Sequence, residues 1–465
     1  MRKPIKLLLC TMLCLSILLT IAGCGSSNAP ATETSTAAGN AAETSSVPAA
    51  GTPEKVPTGT IEFWSMLTQE ERATQLQKLA DDYVAAHAGT KINITVMPWT
   101  GALDKIVAAI MAGNAPDLFT TGGGYPQSLA GTGGLLEFSE LIKEVGGTES
   151  FMTGSLDIQG ASEDGGLYSI PLYITPYIAY YRQSWLDAAG VTKLPGTWEE
   201  YYDMCKAVTK PAENKYGFGI PLGDLHGWKT IWSFLQSNEV DLINKDSNGK
   251  WYVDLEGDKR AAAVETYNYL YKLVKDCSPE GVISYTQTNL REMVAGGTIM
   301  SRIDTPEIYY NVQKIDPDHI KDVSYFKVPG RKTSGSGQGW TGLSISAKGN
   351  VDLAKDFIKY MFTGDTMTDF FVSYPYAMFP AKTDLFNDEK YRNGLPEELK
   401  KMVPDMALDI LKTSSALTMA NGPFPGAGEV ESRMILGNAL VMMLSKNATA
   451  DQAVDYVASE LKKLL

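Results

Sequence analysis

The sequence predicts an α/β protein with two lobes. From Thr60 onward, predicted strands and helices alternate, which is typical of right-handed crossover units around a mostly parallel sheet. This region holds about 405 residues, more than the roughly 250–300 that one hydrophobic core usually supports. No low-complexity linker interrupts this region. We therefore expect the chain to cross between the two lobes more than once.

The strands and helices of the first part follow from composition and period. Short runs of β-branched and aromatic residues predict strands, and apolar residues at a period of 3.6 predict the helices between them. The strands are predicted at 60–64, 91–97 and 117–121, and the helices from 68 and at 103–112. Thr68 with Glu71, and Thr197 with Glu200, have the spacing of a capping box, so we expect a helix to begin at each threonine.

The remaining elements are predicted in the same way. A long helix is expected over 258–275, after a hairpin around Asp246–Gly249. Cys205 and Cys277 fall in helical segments, where we expect two buried free thiols, although export would permit a disulfide. The other predicted strands are 167–173, 178–181, 298–303, 322–328 and 341–346, the other helices are 198–209, 289–295 and 351–362, and 396–465 is expected to be mainly helical.

Composition and charge exclude several classes of protein. Of the 465 residues, 44% are hydrophobic and 20% are charged, which is typical of a globular chain and excludes a wholly disordered or collagen-like one. The net charge of −13 argues against nucleic acid as a partner, because phosphate binding needs clustered cations. Five cysteines and three histidines do not suffice for zinc clusters or a disulfide scaffold. We expect neither a metal nor a cofactor.

The N-terminus is predicted to be an export signal. A short basic segment precedes an apolar run from Leu7 to Ala22, which ends at small residues. Ile21–Cys24 (IAGC) resembles the bacterial lipobox, in which the cysteine is acylated and becomes the first mature residue. A plain secretory signal is the alternative. We predict a lipoprotein signal peptide over 1–23, then the lipidated Cys24 at the head of a disordered linker, 24–59, rich in Ser, Thr, Ala and Gly.

Several segments of the body together resemble a known family. Met111–Asp117 (MAGNAPD) is similar to the family's A-A-G-x-x-P-D turn. Leu167–Arg182, followed by Pro195–Glu200, is similar to its stretch Y-x-(I/L)-P … Y-(Y/F)-(N/R)-K … P-x-T-W-(D/E)-E. Arg291–Met300 and Gly339–Ile345 resemble two further segments. From about residue 60 to 463 the chain thus resembles extracellular solute-binding protein family 1, sugar-capturing lipoproteins of ABC importers similar to maltose-binding protein.

The resemblance implies an architecture and a function. It implies a two-lobe periplasmic-binding fold of type II, whose lobes are joined by multiple hinge crossings and close on a ligand by hinge bending. It also implies a carbohydrate ligand such as an oligosaccharide, the permease subunits of an ABC importer as partners, and a monomer on the extracytoplasmic face of the cell membrane. Lobe one would take 60–171 and 323–373, and lobe two would take 172–322 and 374–465.

This chain departs from the family pattern at two places. Asn238-Glu239 stands where the family commonly has paired glycines, and Thr305-Pro306 replaces an aromatic residue. Both departures leave the identity of the ligand open, including solutes such as iron, a polyamine or a peptide. A surface-anchored glycoside hydrolase is a further alternative, but it would need two facing carboxylates, and no acid lies in a recognisable catalytic motif. We expect no catalytic residues and no enzyme.

Candidate ligand-binding residues are aromatic or polar side chains near predicted strand ends. A sugar presents an apolar C–H face to an aromatic ring and hydroxyls to polar groups, and ligands of open α/β sheets lie beyond the carboxyl ends of strands. Trp340, after a glycine-rich turn, is expected to stack on the ligand. Arg302 and Asp304 are expected to bind hydroxyls, because charges at a strand end are costly unless exposed or paired. The full set is Trp64, Gln69, Trp99, Gly124, Tyr125, Tyr173, Tyr177, Trp228, Arg302, Asp304, Trp340 and Phe424.

Overall fold

The computed structural model describes residues 57–335, 337–376, 378–403 and 415–465. The predicted signal peptide, Cys24 and the predicted linker up to residue 56 lie outside the described residues. The first strand begins at Gly59, one residue before the predicted start of the body. The strands are β1 Gly59–Ser65, β2 Thr90–Val96, β3 Leu118–Gly122, β4 Ile170–Pro176, β5 Ile178–Arg182, β6 Tyr216–Phe218, β7 Ile243–Lys245, β8 Trp251–Val253, β9 Ile299–Asp304, β10 Val323–Phe326, β11 Gln338–Ile345 and β12 Phe379–Pro380.

Helices flank these strands along the whole described chain. The longest is the predicted one after the β7–β8 hairpin, which spans 21 residues. None of the described helices is both long and apolar enough to cross a membrane. The helices are α1 Glu70–Ala86, α2 Ala102–Ala112, α3 Tyr125–Ala130, α4 Ser139–Glu144, α5 Ser155–Gln159, α6 Gln183–Ala188, α7 Trp198–Val208, α8 Gly227–Ser237, α9 Gly257–Cys277, α10 Gln287–Ala295, α11 Glu307–Ile315, α12 Val351–Met361, α13 Thr366–Ser373, α14 Thr383–Asn387, α15 Glu389–Gly394, α16 Glu397–Met402, α17 Ala427–Ser432, α18 Ile435–Lys446 and α19 Ala450–Lys462.

Two sheets carry the fold, in agreement with the predicted α/β class. The first has the strand order β2-β1-β3-β11-β4-β12, and the second has the order β10-β5-β9-β6. In the first sheet, β1 is parallel to β2 and β3, but β11 is antiparallel to β3 and β4, as β12 is to β4. In the second sheet only β6 and β9 are parallel. The prediction of a mostly parallel sheet is therefore wrong outside β1–β3.

The predicted crossings between lobes lie at other positions in the structure. β4 stays in the first sheet to Pro176, so the chain leaves that sheet between Pro176 and Ile178 and not at Pro171. β10 pairs with β5 in the second sheet, so the return lies after Phe326 and not near residue 323. β12, Phe379–Pro380, pairs with β4, so the chain is still part of the first sheet beyond residue 373. The predicted crossing near residue 373 is therefore also displaced.

One of the two predicted capping boxes forms. The Thr197 hydroxyl accepts the Glu200 N–H at 3.2 Å, and the Glu200 carboxylate accepts the Thr197 N–H at 3.2 Å. The box predicted at Thr68 is wrong, because α1 begins one residue later than such a box requires, with Gln69 as its uncapped N-cap residue. The two cysteines are free and buried, as predicted.

Candidate functional site

A cavity of about 140 Å³ lies between the two sheets. The first sheet and its loops supply Thr68, Gln69, Arg72, Trp99, Gly122, Gly123, Tyr173, Thr175, Gly339, Trp340 and Thr341. The opposite wall comes from the connection into β5 and from α8, α10, α11 and α17, with Tyr177, Asp224, His226, Trp228, Lys229, Gln287, Thr288, Arg291, Thr305, Glu307 and Glu431. Several of the first group follow the carboxyl ends of β1, β2 and β3, which is where ligands of open α/β sheets bind.

Half of the predicted binding residues line this cavity. They come from the loops after β1 and β2, from β4 and its exit, from α8 and from β11. Aromatic side chains predominate among them, as the expected C–H contacts with a sugar require. The residues are Gln69, Trp99, Tyr173, Tyr177, Trp228 and Trp340.

The aromatic wall is built by close packing of β11 against the chain around Tyr177. Tyr177 and Trp228 meet edge to face, with ring centroids 5.8 Å apart. A Cβ atom on Gly339 would lie 2.0 Å from the Tyr177 hydroxyl, so only glycine permits this approach. Trp340, the next residue, is only 3% exposed, and its indole N–H has no hydrogen-bond partner among the described residues.

A chain of buried ion pairs lies along one side of the cavity. The Arg291 guanidinium donates to both carboxylate oxygens of Asp304, at 2.9 and 2.8 Å, and its Nη1 lies 3.0 Å from Glu307 Oε2. Arg72 Nη2 lies 3.4 Å from Glu307 Oε1. Burial raises the pKa of Asp304, but the charges of Arg291 and Arg302 outweigh it and hold that pKa at about 2. These acids are thus ionised and committed to arginine partners.

Two further charged residues face the cavity without such partners. Burial and, to a smaller extent, the nearby charge of Arg291 lower the pKa of Lys229 to about 8. Burial also raises the pKa of Glu431 to about 7, against the opposing effect of Lys229. Neither side chain forms a salt bridge within 4.0 Å in the described part of the chain, and the Lys229 ammonium instead lies 4.8 Å from the Tyr177 ring centroid.

Arg302 and Asp304 do not line the cavity, contrary to the prediction. Both are at most 2% exposed, and Asp304 pairs with Arg302 at 3.0 Å as well as with Arg291. Charges at a buried strand end need partners, and Arg302 and Asp304 are partners of each other. They therefore need no ligand to balance their charges. Asp304 positions Arg291, which does line the cavity.

Four other predicted residues also lie outside the cavity. Gly124 packs so closely on α17 that a Cβ atom would lie 2.3 Å from Ala427. Tyr125 is fully buried, and its hydroxyl donates to the Trp99 carbonyl at 3.3 Å. Trp64 lies against the ammonium of Lys105, 4.4 Å from its ring centroid. Phe424 packs in the core beside Trp251.

The charged lining residues do not follow from the sequence pattern, in which aromatic side chains near strand ends are the stronger signal. A signal existed for Arg72, which occupies the apolar face of α1 four residues before the buried Leu76. A charge on the buried face of an amphipathic helix needs a partner or a ligand. The partner, Glu307, is 235 residues away in the sequence, so spacing gives no indication of the pair.

Comparisons with known proteins agree with this architecture. The family model for the bacterial extracellular solute-binding protein matches residues 68–367. The diacetylchitobiose binding protein DasA of Streptomyces coelicolor is 29% identical over 296 residues, which cover 60% of this chain and 64% of that protein. The match therefore spans less than two thirds of this relative's length.

Solved structures share the fold over nearly their whole length. The GacH receptor of Streptomyces glaucescens, with crystal structures that include an acarbose complex, has a TM-score of 0.73 at 19% identity, covering 88% of this chain and 98% of that one. A sugar transporter protein from Arthrobacter chlorophenolicus with bound laminaribiose has a TM-score of 0.71 at 16% identity, covering 88% and 100%. At such identities the likeness shows the two-lobe fold alone.

Proposed function

The chain belongs to the bacterial extracellular solute-binding proteins, and on that premise we propose that it captures a carbohydrate between its two lobes and delivers it to the permease of an ABC importer. The observation that carries this proposal is the cavity between the sheets, where Trp340, Tyr177 and Trp228 alternate with charged side chains. Aromatic faces suit the C–H surface of a sugar, and the polar groups suit its hydroxyls. An oligosaccharide is the ligand class we favour.

The comparisons support a saccharide over other solutes. DasA is named for diacetylchitobiose, and the two solved structures were determined with acarbose and laminaribiose. Each of these ligands has many hydroxyl groups and at least one apolar ring face. The lining of the present cavity offers groups for both features, with tryptophan and tyrosine rings beside Arg72, Gln69 and Thr175.

The family is one of binding proteins, and we propose that this member has no catalytic activity. A thermal-shift screen over mono- and oligosaccharides tests the proposal, with chromatography of each sugar after incubation. We expect at least one saccharide to raise the melting temperature and to be recovered unchanged, because a ligand that binds only the native state stabilises it. Conversion of the sugar would contradict the binding-protein proposal, and a screen in which no saccharide binds would contradict the ligand class.

We further propose that the protein is a monomer tethered to the cell membrane through a lipid on Cys24. The lipobox-like IAGC sequence and the polar segment after it support this anchor. Cys24→Ala should remove membrane retention without reducing the thermal stability of the body, because the acylated position precedes the first strand by 35 residues. Membrane fractionation gives the readout. A Cys24→Ala variant that still sediments with membranes after signal processing would exclude the lipid anchor.

A further inference from the structure

We propose that the captured saccharide is acidic and that its carboxylate binds between Trp340, Arg72 and Lys229. The proposal rests on the proposed function and deepens it by naming the class of sugar. The observation behind it is an imbalance in the cavity wall. The Trp340 and Arg72 donors there have no acceptor among the described residues, whereas Asp224, Asp304 and Glu307 already have donors, and Gln69 Oε1 is the unpartnered amide acceptor.

The unpartnered donors come from the first sheet and its flanking helix. The Trp340 indole N–H and the Arg72 Nε–H both lack a hydrogen-bond partner among the described residues. The two side chains are only 3% and 7% exposed and both line the cavity. A buried donor without an acceptor is unfavourable, so such groups in a native structure usually have a partner that is protein, water or ligand. Both residues line the cavity, so a bound ligand is the partner we infer for these donors.

Lys229 adds a positive charge on the opposite wall. Its ammonium lies over the Tyr177 ring at 4.8 Å, and within the described ranges it has no carboxylate within 4.0 Å. The chain at Gly337, just before β11, also packs closely here. A Cβ atom on Gly337 would lie 2.8 Å from the Tyr177 ring and 3.6 Å from the Lys229 carbonyl oxygen. Lys229 lines the cavity from α8, and Trp340 lines it from β11. An anion between them would accept from both.

The acidic residues around the cavity are already committed. Asp304 binds Arg291 and Arg302, and Glu307 binds Arg291 at 3.0 Å and the Gln69 amide. Asp224 accepts the backbone N–H groups of His226 at 2.9 Å and of Gln287 at 2.8 Å. These pairs neutralise most of the charge, and the lining keeps the unpartnered donors of Trp340 and Arg72 beside one unpartnered amide acceptor, Gln69 Oε1.

Glu431 is the remaining carboxyl group, and it does not reverse this balance. It is 6% exposed, and it faces the Gly123 backbone so closely that a Cβ atom there would lie 2.1 Å from its Oε2. Its surroundings include Lys229 and Trp228 on α8 and the hydroxyls of Tyr125 and Tyr177. Burial raises its pKa to about 7, so near neutral pH a large part of the population carries a proton. In that form the Glu431 carboxyl group has a proton to donate, so it does not repel a ligand carboxylate.

Matched pairs of sugars test the inference by calorimetry on the mature body. The probes are galacturonate with galactose, glucuronate with glucose and mannuronate with mannose, each also as the corresponding disaccharide. We expect the acidic member of the binding pair to bind at least tenfold more tightly than its neutral partner. Tighter binding of the neutral member would overturn the acidic-ligand inference and leave the carbohydrate function in place. If no acidic or neutral saccharide bound, both proposals would fail.

A lysine variant identifies the group that recognises the charge. Lys229→Met should weaken binding of the acidic probe at least tenfold more than it weakens binding of its neutral partner. Lys245→Met is the matched control, since the Lys245 ammonium also lies over an aromatic ring, 4.3 Å from the Trp251 centroid, but outside the cavity. It should change neither affinity. Equal losses for both sugars in Lys229→Met, with an unchanged melting temperature, would show that Lys229 does not recognise a carboxylate.

Discussion

At the scale of single residues, Trp340 shows that site and core are not exclusive alternatives. The sequence suggests a stacking residue at a strand end, and the structure places the side chain in the cavity wall while it is 3% exposed in the core under the first sheet. Its backbone pairs with Ile174 in β4, which fixes the indole in place. Truncation to alanine would therefore lower both stability and affinity, and a subtler change is needed to separate them.

Trp340→Phe is that change, because it keeps an aromatic ring and removes the indole N–H. We expect the free energy of unfolding to fall by no more than about 1.5 kcal/mol, as for other core replacements that conserve shape. The affinity for the bound saccharide should fall about tenfold, which corresponds to about 1.4 kcal/mol for one lost hydrogen bond. Denaturation and calorimetry of the same sample measure the two effects. Unchanged affinity would show that the N–H does not contact the ligand.

Glu431 gives a pH-dependent prediction at the same scale. Its folded pKa of about 7 exceeds the ordinary value of 4.5, mainly because of burial, so the native state holds a proton that the unfolded state has released between these pH values. Stability from this group is therefore complete below about pH 4.5 and is lost as pH rises towards 7. Relative to Glu431→Gln, wild-type stability should fall by up to about 1.4 kcal/mol per pH unit in this window. Parallel denaturation curves across it would contradict the burial argument.

Residue types could be predicted from the sequence better than residue partners could. Tyr173, Tyr177 and Trp340 could be predicted as cavity residues, because aromatic residues near strand ends can be recognised from the sequence alone. Arg72 and Glu307 could not be predicted as cavity residues, since their ion pair joins two helices that lie far apart in the sequence. Arg302 and Asp304 were placed at the right strand end, but the sequence could not show that they satisfy each other.

At the scale of elements, the two threonine motifs show what decides where a helix begins. Thr68 and Thr197 each have a glutamate three residues later, yet only Thr197 caps a helix. The chain after β1 is held instead by the Met66 N–H, which donates to the Thr120 hydroxyl at 2.7 Å. This tertiary contact delays α1 and could not be predicted from local sequence. The direction of a strand cannot be predicted from local sequence either. Periodicity predicts that β11 is a strand, but not that it runs antiparallel to β3 and β4.

Thr197→Ala should reduce the free energy of unfolding by about 1 kcal/mol, because α7 would lose the side chain that accepts its third N–H. Thr68→Ala is the matched control, with the same local motif but no cap, and it should remain within about 0.5 kcal/mol of wild type. Urea denaturation of both variants gives the comparison. Equal losses in the two would mean that the capping box is not the source of the effect.

At the scale of the whole molecule, helices from the two lobes meet beside the cavity. Arg72 on α1 approaches Glu307 on α11, and the Tyr310 hydroxyl, one helical turn later, donates to Glu71. These contacts join an element that flanks the first sheet to one that follows β9 of the second. The length of the chain predicts two lobes, but local sequence predicts neither these contacts nor the positions of the crossings, since sheet membership depends on long-range pairing.

Because these contacts lie where the lobes meet, they should favour the closed state and hence ligand binding. Small-angle scattering of the wild-type body should show a smaller radius of gyration once the bound saccharide is saturating, and an unchanged radius would contradict closure.

Tyr310→Phe removes one closing hydrogen bond without altering a residue of the cavity wall. A ligand that binds the closed state loses apparent affinity when that state is less populated, so we expect a three- to tenfold weaker affinity, or about 0.7–1.4 kcal/mol. Tyr252→Phe, at an exposed side chain of β8, is the control and should bind as wild type does.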